Sequence, residues 1–339
     1  MLTQDTLNHD KVVQTLARRG ICLQQKLGEG AFGAVHKGMC DEYSRPVAIK
    51  VIEFAKDKEG NVKSSERDEF ALEVRALCQA KGAENVVDLK NAFTVTDGEK
   101  GIIVMELGDG MDLDNYVEEM DSPSKKEVMW IASGIARGIA DLHALDIVHR
   151  DLKGGNVILF KAADGEFCQV KIVDFGMAAK EGDDQYVGGT LHYMCDDRVQ
   201  DYYARQMTPV IKADDIFAFG CIMMEILGGE REFMEWNDKR HEFRESGKDR
   251  PINNPLVFPS RIHDMYSKNM MDTLQQCLHE DAEARPTAAA LSQLFDKKQP
   301  QPVPAPVKIT AVKRVADTNI SDSAPIAHRL RKRQCNMKN

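Results

Sequence analysis

The sequence has no long apolar run and no secretory leader. None of its 339 residues lies in a stretch that approaches the roughly 18 consecutive apolar residues of a transmembrane helix. The first twenty residues carry charges in every turn and contain no continuous apolar segment of the kind found in signal peptides. These absences predict a protein without a membrane span, located inside the cell in the cytoplasm, the nucleus or both.

Paired cysteines are also missing. The eight cysteines include no C-x-x-C and follow no regular spacing, which argues against a disulfide framework and against a zinc site. Reduced thiols that fill the core are the simpler interpretation. With 42% hydrophobic residues the chain can build a full core, so a wholly disordered or fibrous protein is excluded.

Charge is distributed unevenly along the chain. The net charge is −9, yet residues 297–339 hold ten Lys or Arg and two Asp, a local +8 that leaves −17 for residues 1–296. The prolines of residues 297–306 cannot continue a helix, and the segment beyond them has no aromatic residue to anchor a core. We therefore predict an N-terminal extension (1–20), a folded domain (21–296) and a Pro-rich linker with a disordered basic tail (297–339).

The basic tail is open to three interpretations. Lys313-Arg314 and the basic run 329–333 resemble the halves of a bipartite nuclear import signal, although the 14 intervening residues exceed the usual spacing. The partner would then be an import receptor. Alternatively, the tail contacts a polyanion or an anionic membrane surface, or it is a solvated run of charge with no partner.

Chemistry first becomes visible in a glycine-rich segment. Gly28, Gly30 and Gly33 would let backbone N–H groups approach a phosphate, because no Cβ stands in the way. The spacing alone is weak, since glycine marks many ordinary turns. Here, however, Val35 continues a strand and the next strand ends at Lys50, which predicts a strand–turn–strand lid with a lysine beneath it.

Two further clusters make the pattern specific. Residues 149–156 read HRDLKGGN and are followed by an apolar run, and residues 174–176 read DFG. Together with the glycine-rich segment and Lys50, these motifs resemble the protein kinase superfamily. The resemblance covers residues 21–296 and implies an α+β, bilobal fold: a β-rich N-lobe with one main helix (21–104), a hinge (105–107) and a mostly helical C-lobe (108–296).

The resemblance also implies a reaction. The protein would transfer the γ-phosphate of ATP to Ser or Thr hydroxyls of protein substrates, with Mg²⁺, or Mn²⁺ in its place, as the metal. Lys153, two positions after Asp151, and Thr190 in the segment GTLHY (189–193) are typical of the Ser/Thr class. The same segment is similar to a peptide-docking element, which disfavours a small-molecule kinase of related fold.

Roles follow for the polar residues. Asp151 would orient the substrate hydroxyl and Lys153 would neutralise charge on the transferred group. Lys50 would hold the α and β phosphates and be held by Glu73, preferred to Glu69 because Leu77 then falls one turn further on the same helix face. Asn156 and Asp174 would hold the metal. The positions that the resemblance assigns to ATP are Leu27, Gly28, Glu29, Gly30, Ala31, Phe32, Gly33, Val35, Ala48, Lys50, Met105 as gatekeeper, Glu106 and Leu107 through their backbone, Asp112 and Ile158.

A second set of positions would be structural or regulatory. His149 would pack beneath Phe175, Asp215 would brace the catalytic loop or merely cap its helix, and Thr190 would bond Lys153. The full set is Leu77, Leu89, His149, Arg150, Phe175, Gly176, Asp183, Asp184, Tyr186, Thr190, Asp197, Asp215 and Arg285.

Two departures from the family pattern stand out. Residues 195–197 read CDD in place of Ala-Pro-Glu, so the ion pair with Arg285 would fall to Asp197. No Ser or Thr lies between Gly176 and Thr190, and only Tyr186 could be phosphorylated there. We hypothesise that Asp183 and Asp184 supply the negative charge that Arg150 would otherwise receive from a phosphate.

The competing interpretation is a catalytically weak, kinase-like scaffold. The two departures favour it. The complete set of Lys50, Glu73, Asp151, Asn156 and Asp174 argues against it, because a scaffold has no chemical need for ion-binding residues.

Overall fold

A computed structural model describes the chain in seven segments and one single residue. These are residues 12–30, 33–95, 98–119, 123–162, 164–228, 233–235, 258 and 260–296. All of these described residues belong to one compact unit. The predictions for the basic tail, and those for Ala31 and Phe32, lie outside the described residues.

The first part of the domain is built on an antiparallel sheet of five strands in the order β1-β2-β3-β5-β4. Aliphatic residues dominate its central strands, which read VAIKVIE and KGIIVME, as expected for strands covered on both faces. One helix, α2 (Ser64–Gln79), packs against this sheet. The strands are β1 (Ile21–Gly30), β2 (Gly33–Cys40), β3 (Val47–Glu53), β4 (Leu89–Val95) and β5 (Lys100–Glu106).

A short helix precedes the sheet. Residues 12–17 are helical (α1), and Val12 and Leu16 are buried in one cluster with Ile21, Val47 and other residues of the sheet. The predicted N-terminal extension thus includes a helix that packs on the sheet. Val12 and Leu16 are four residues apart, a spacing that puts both on the same helix face.

The second part is mostly helical around two buried helices, α4 and α6. Ser124 caps α4 through a reciprocal capping box with Glu127, and α6 buries 12 of its 17 residues. The helix Ala288–Phe295 packs against α4, and the helix Lys268–Cys277 packs against α6. The helices are α3 (Leu113–Glu119), α4 (Lys125–Ala144), α5 (Asp196–Ala204), α6 (Lys212–Gly228), α7 (Ser260–His263), α8 (Lys268–Cys277) and α9 (Ala288–Phe295).

Three small sheets shape the segments that carry the motifs. β8 (Val157–Lys161) lies between β6 (Met111–Asp112) and β9 (Phe167–Ile172). The other two sheets are single antiparallel pairs that tie one loop to another. They are β7 (Ile147–Val148) with β10 (Ala179–Lys180), and β11 (Asp184–Tyr186) with β12 (Met207–Pro209).

The predicted fold class is confirmed. The β-rich first part contains one main helix against its sheet, and the second part is helical, as the resemblance implied for the two lobes. Within the described residues, no helix combines the length and apolar character required to cross a bilayer.

Candidate active site

Lys50 joins three parts of the chain. It lies on β3, and its Nζ is 2.6 Å from Glu73 Oε1 on α2 and 2.8 Å from Asp174 Oδ1 in the DFG motif. Lys50 and Glu73 are buried, whereas about a third of the Asp174 side chain is exposed. The helix therefore presents Glu73 to the lysine, and the carboxylate of Asp174 faces solvent beside them.

The charges in this cluster stabilise one another. Burial acts to lower the pKa of Lys50, but the carboxylates of Glu73 and Asp174 raise it above its ordinary value. Burial likewise acts to raise the pKa of Asp174, and Lys50 reverses that effect and lowers it. Lys50 is thus an ammonium and Asp174 a carboxylate at neutral pH, which are the charge states that bind phosphate and metal respectively.

The carboxylate of Asp151 is held from two sides. Its Oδ1 accepts hydrogen bonds from the amide (2.8 Å) and the hydroxyl (2.7 Å) of Thr190, and its Oδ2 accepts one from Lys153 Nζ (2.9 Å). Lys153 also donates to Thr190 Oγ1 at 2.8 Å. Asn156 Nδ2 donates to the main-chain oxygen of Asp151 at 2.7 Å. Three other sequence-predicted residues, Lys153, Thr190 and Asn156, are therefore brought together around Asp151.

Asp215 fixes the backbone of this loop. Its carboxylate, 1% exposed, accepts hydrogen bonds from the amides of His149 (2.8 Å) and Arg150 (2.9 Å) and contacts His143 Nε2 at 2.9 Å. Arg150 has a φ of 67°, in the left-handed region that non-glycine residues rarely adopt. Asp215 thus lies inside the first turn of α6 and not at its N-cap, and it satisfies two amides of a strained turn in another segment.

The DFG motif is anchored by its aromatic residue. Phe175 is 1% exposed, and its ring lies edge-on to His149 with centroids 5.1 Å apart. Leu77, Leu89 and Met105 belong to the same apolar cluster as Phe175, so this cluster runs from the first sheet into the helical part. Asp174 has a φ of 65°, a second strained residue at the site.

The expected nucleotide positions lie on three strand pairs. Gly28 pairs with Val35, and Gly30 with Gly33, in the β1–β2 hairpin. The other two pairs link Ala48 to Met105 and Ile158 to Asp112. Leu27 and Glu29 are exposed, Glu29 is paired with Lys26 at 2.8 Å, and Leu107 is half-buried.

Two of these positions are already engaged by other groups. The amide of Glu106 donates to Asp88 O at 3.0 Å, so this amide is not available to adenine. Its carboxylate is 2.6 Å from Lys171 Nζ, a buried contact that the sequence analysis missed. The carboxylate of Asp112 accepts hydrogen bonds from the amide and side chain of Asn115 at the start of α3, which favours a capping role over nucleotide contact.

Arg150 is satisfied by main-chain carbonyls. Its guanidinium donates to Met177 O at 3.1 Å and to Tyr186 O at 2.5 Å. Asp183 and Asp184 are exposed, and the pairing of β11 with β12 directs Arg150 to the carbonyl of the strand instead. The hypothesis that the acidic pair neutralises Arg150 is therefore wrong for this structure.

The expected pair between Asp197 and Arg285 is also wrong. Asp197 is exposed in the first turn of α5, whereas the side chain of Arg285 is only 1% exposed. The carboxylate that faces Arg285 is that of Asp214, 3.8 Å from Nη1, at the start of α6. The register of α5 turns position 197 to solvent, while α6 turns position 214 inward.

The fold and the site together define a class of protein. A five-stranded sheet with one helix, a helical second part, and a cleft that assembles Lys50, Glu73, Asp151 and Asp174 are the features of a protein kinase domain. The family model described as "Protein kinase domain" matches residues 22–295. The chain belongs to this family.

Curated relatives agree with this assignment. The chain is 31% identical over 305 residues to "Cysteine-rich receptor-like protein kinase 41" of Arabidopsis thaliana, covering 81% of this chain and 42% of the relative. It is 31% identical over 276 residues to "Serine/threonine-protein kinase 33" of Bos taurus, covering 78% and 52%. The chain thus spans about half of these relatives' own length or less.

Proposed function

We propose that the protein is an ATP-dependent serine/threonine kinase. The observation that carries this proposal is the simultaneous presence of two arrangements: Lys50 in contact with both Glu73 and Asp174, and Asp151 held by Lys153 and Thr190. The first arrangement is suited to binding phosphates and a metal. The second is suited to orienting an acceptor hydroxyl.

The residues present fit a hard divalent cation. The amide nitrogen of Asn156 is bonded to the main chain of Asp151, which leaves its amide oxygen as a ligand atom. One carboxylate oxygen of Asp174 accepts from Lys50, so the other is left. Mg²⁺ and Mn²⁺ both favour oxygen ligands and bind through one or two protein side chains plus phosphate oxygens. When bound, Mg-ATP supplies the phosphoryl group and the metal neutralises its charge.

The chain itself supplies positioning and electrostatics. Asp151 would accept the hydrogen bond of the substrate hydroxyl and direct its oxygen towards the γ-phosphate. Lys153 is placed 2.9 Å from that carboxylate, where its positive charge would stabilise the phosphoryl group in transfer. Thr190 bonds both residues, which supports the assignment to the Ser/Thr class.

The proposal is tested by phosphate incorporation into a mixed Ser, Thr and Tyr peptide library with Mg-ATP. Asp174→Asn removes a proposed metal ligand, and Asp68→Asn, at an exposed position on α2, is the matched control. We expect labelled Ser and Thr in the wild type and the control, and loss of label in Asp174→Asn. Equal labelling in all three proteins, or labelling of Tyr alone, contradicts the proposal.

The scaffold alternative predicts a different result from the same proteins. A folded wild type that binds Mg-ATP and transfers no phosphate to any peptide would favour a scaffold.

We further propose an intracellular location with an import receptor as partner of the basic tail. Loss of nuclear enrichment on deletion of residues 313–333 supports this, and unchanged distribution favours a polyanion contact or a solvated tail.

A further inference from the structure

Three charged residues that take no part in the proposed chemistry lie close together near the segment that follows the DFG motif. Asp214 lies at the start of α6, Arg198 on α5, and Arg285 in the loop before α9. We call these three residues the Asp214 cluster. Its carboxylate stands between two guanidinium groups from different parts of the chain.

Arg285 is held by main-chain groups of the helical part. Its guanidinium donates to three main-chain oxygens, those of His279 (2.8 Å), Ala213 (2.9 Å) and Glu280 (3.0 Å), and lies 5.0 Å from the centre of the Phe217 ring. These contacts join the loop before α9 to the start of α6. Arg285 therefore holds α6 in place, and Asp214 is the acidic group that it faces.

Arg198 joins Asp214 to a strand of the segment that follows the DFG motif. Its Nε donates to Asp214 Oδ2 at 2.8 Å, while its other nitrogens donate to Thr208 Oγ1 at 2.5 Å and Pro209 O at 2.9 Å. Thr208 and Pro209 lie on β12, which pairs with β11. A planar guanidinium with a fixed fork of donors can hold a carboxylate and a strand at once.

A chain of contacts thus connects Asp214 to the catalytic loop. Arg198 fixes β12, β12 pairs residue by residue with β11, and the last residue of β11, Tyr186, accepts through its carbonyl from Arg150. Arg150 is adjacent to Asp151 in sequence. We call residues 184–209, which include Thr190 and α5, the docking segment.

The carboxylate of Asp214 is held at some cost. Its side chain is 24% exposed, but its Oδ1 is buried and has no hydrogen-bond partner in the described part of the chain. The groups that face it are Arg198, Arg285 and Asp215, and Arg150 lies close by. A carboxylate oxygen that is removed from water and has no hydrogen-bond partner costs free energy unless nearby positive charges compensate for it.

We propose that Asp214, and not Asp197, is the carboxylate that positions the docking segment for protein substrates. Asp214 is a positioning residue, because it acts through Arg198 and touches neither substrate nor metal in the proposed reaction. The inference rests on the proposed kinase activity for its kinetic test. Asp197, exposed on the same segment, is then dispensable.

The test compares Asp214→Asn and Asp214→Glu with Asp197→Asn, which removes the rival carboxylate, and the matched control is Asp68→Asn at an exposed position on α2, outside the docking segment. We expect Asp214→Asn to raise KM for a Ser/Thr peptide roughly tenfold while KM for ATP stays within about twofold. Asp214→Glu is expected to restore part of that loss, and Asp197→Asn to match the wild type. A rise in both KM values alike, or a peptide effect confined to Asp197→Asn, overturns the proposal.

Hydrogen exchange gives a readout that needs no activity. Amides of β11 and β12 are expected to exchange faster in Asp214→Asn, with α4 unchanged; equal exchange in the two proteins overturns the proposal. If the wild type transfers no phosphate, the proposed function fails while this measurement still decides the inference.

A further variant covers the case in which Asp214→Asn does not fold. Arg198→Lys keeps the positive charge beside Asp214 but cannot hold β12 at the same time, so the same faster exchange is expected. Wild-type exchange in Arg198→Lys overturns the proposal.

Discussion

Asp214 predicts an unusual dependence of stability on pH. Burial raises its pKa from 3.8 to about 6, even though Arg198 and Arg285 act to lower it. In the unfolded chain the same group titrates near its ordinary value. Between these two pKa values the folded protein binds a proton that the unfolded chain does not bind.

The sign of the effect follows from this difference. The contribution of Asp214 to the free energy of unfolding is fully present below pH 3.8 and is lost as the pH rises through about 6. A shift of roughly two pKa units corresponds to about 3 kcal/mol. Most of this change, about 2 kcal/mol, falls between pH 4 and pH 7, so the wild type is expected to lose that amount relative to Asp214→Asn, which carries no titratable group at this position.

The assay is equilibrium unfolding by urea at pH 4, 5, 6 and 7 for the wild type, Asp214→Asn and Asp197→Asn. For each variant, the free energy of unfolding is subtracted from that of the wild type at the same pH. This difference removes the contributions of all other titrating groups that the substitution leaves undisturbed. The control Asp197→Asn is expected to show a small, nearly constant difference, because its carboxylate is exposed. A wild-type advantage that grows with pH would refute the reasoning, since it would mean that the arginines outweigh burial.

Three further predictions follow from other contacts. In urea unfolding, Leu16→Ala should lower the free energy of unfolding by about 2 to 5 kcal/mol, because Leu16 is 0% exposed in α1. The control Val13→Ala, at an exposed position on the same helix, should change it by less than about 1 kcal/mol. Similar losses in the two variants would contradict the packing of α1. Tyr186→Phe should keep peptide kinase activity within about twofold, since Arg150 bonds the carbonyl at position 186 and not the side chain; a tenfold loss would indicate that the hydroxyl matters. Asp215→Asn should lower kcat at least roughly tenfold with little change in KM for ATP, because the amides of His149 and Arg150 lose a charged acceptor. An unaltered kcat would show that these two hydrogen bonds are not needed for catalysis.

Residues close together in sequence, or at regular helical spacing, could be predicted well. The motif that contains Asp151 and Lys153 is contiguous, so its members were bound to lie in one loop, and the contact of Lys153 with Thr190 is present as expected. The choice of Glu73 over Glu69 used the helical repeat together with the packing position that the resemblance gives to Leu77, and the structure shows the expected contact of Glu73 with Lys50. The α+β fold followed from the same motifs and from the resemblance they carry.

Contacts that depend on how one element is rotated against another could not be predicted. Asp197 and Asp214 carry the same side chain, and sequence gives no reason to prefer the second as the partner of Arg285. The rotation of α5 relative to α6 decides between them, and it is fixed by packing between elements. Likewise, the sequence offers the side chains of Asp183 and Asp184 as candidate partners of Arg150. It does not single out the main-chain carbonyl of Tyr186, because every residue type has one.

The bonds from Arg150 to main-chain carbonyls have a consequence for how this site can change. A charge supplied by a phosphate is erased by one hydrolysis, and a charge supplied by an Asp is erased by one point mutation. A peptide carbonyl survives both, because each of the twenty residue types carries it. The side chains at positions 177 and 186 are thus free to vary over evolutionary time, while the geometry around Arg150 is inherited with the path of the backbone.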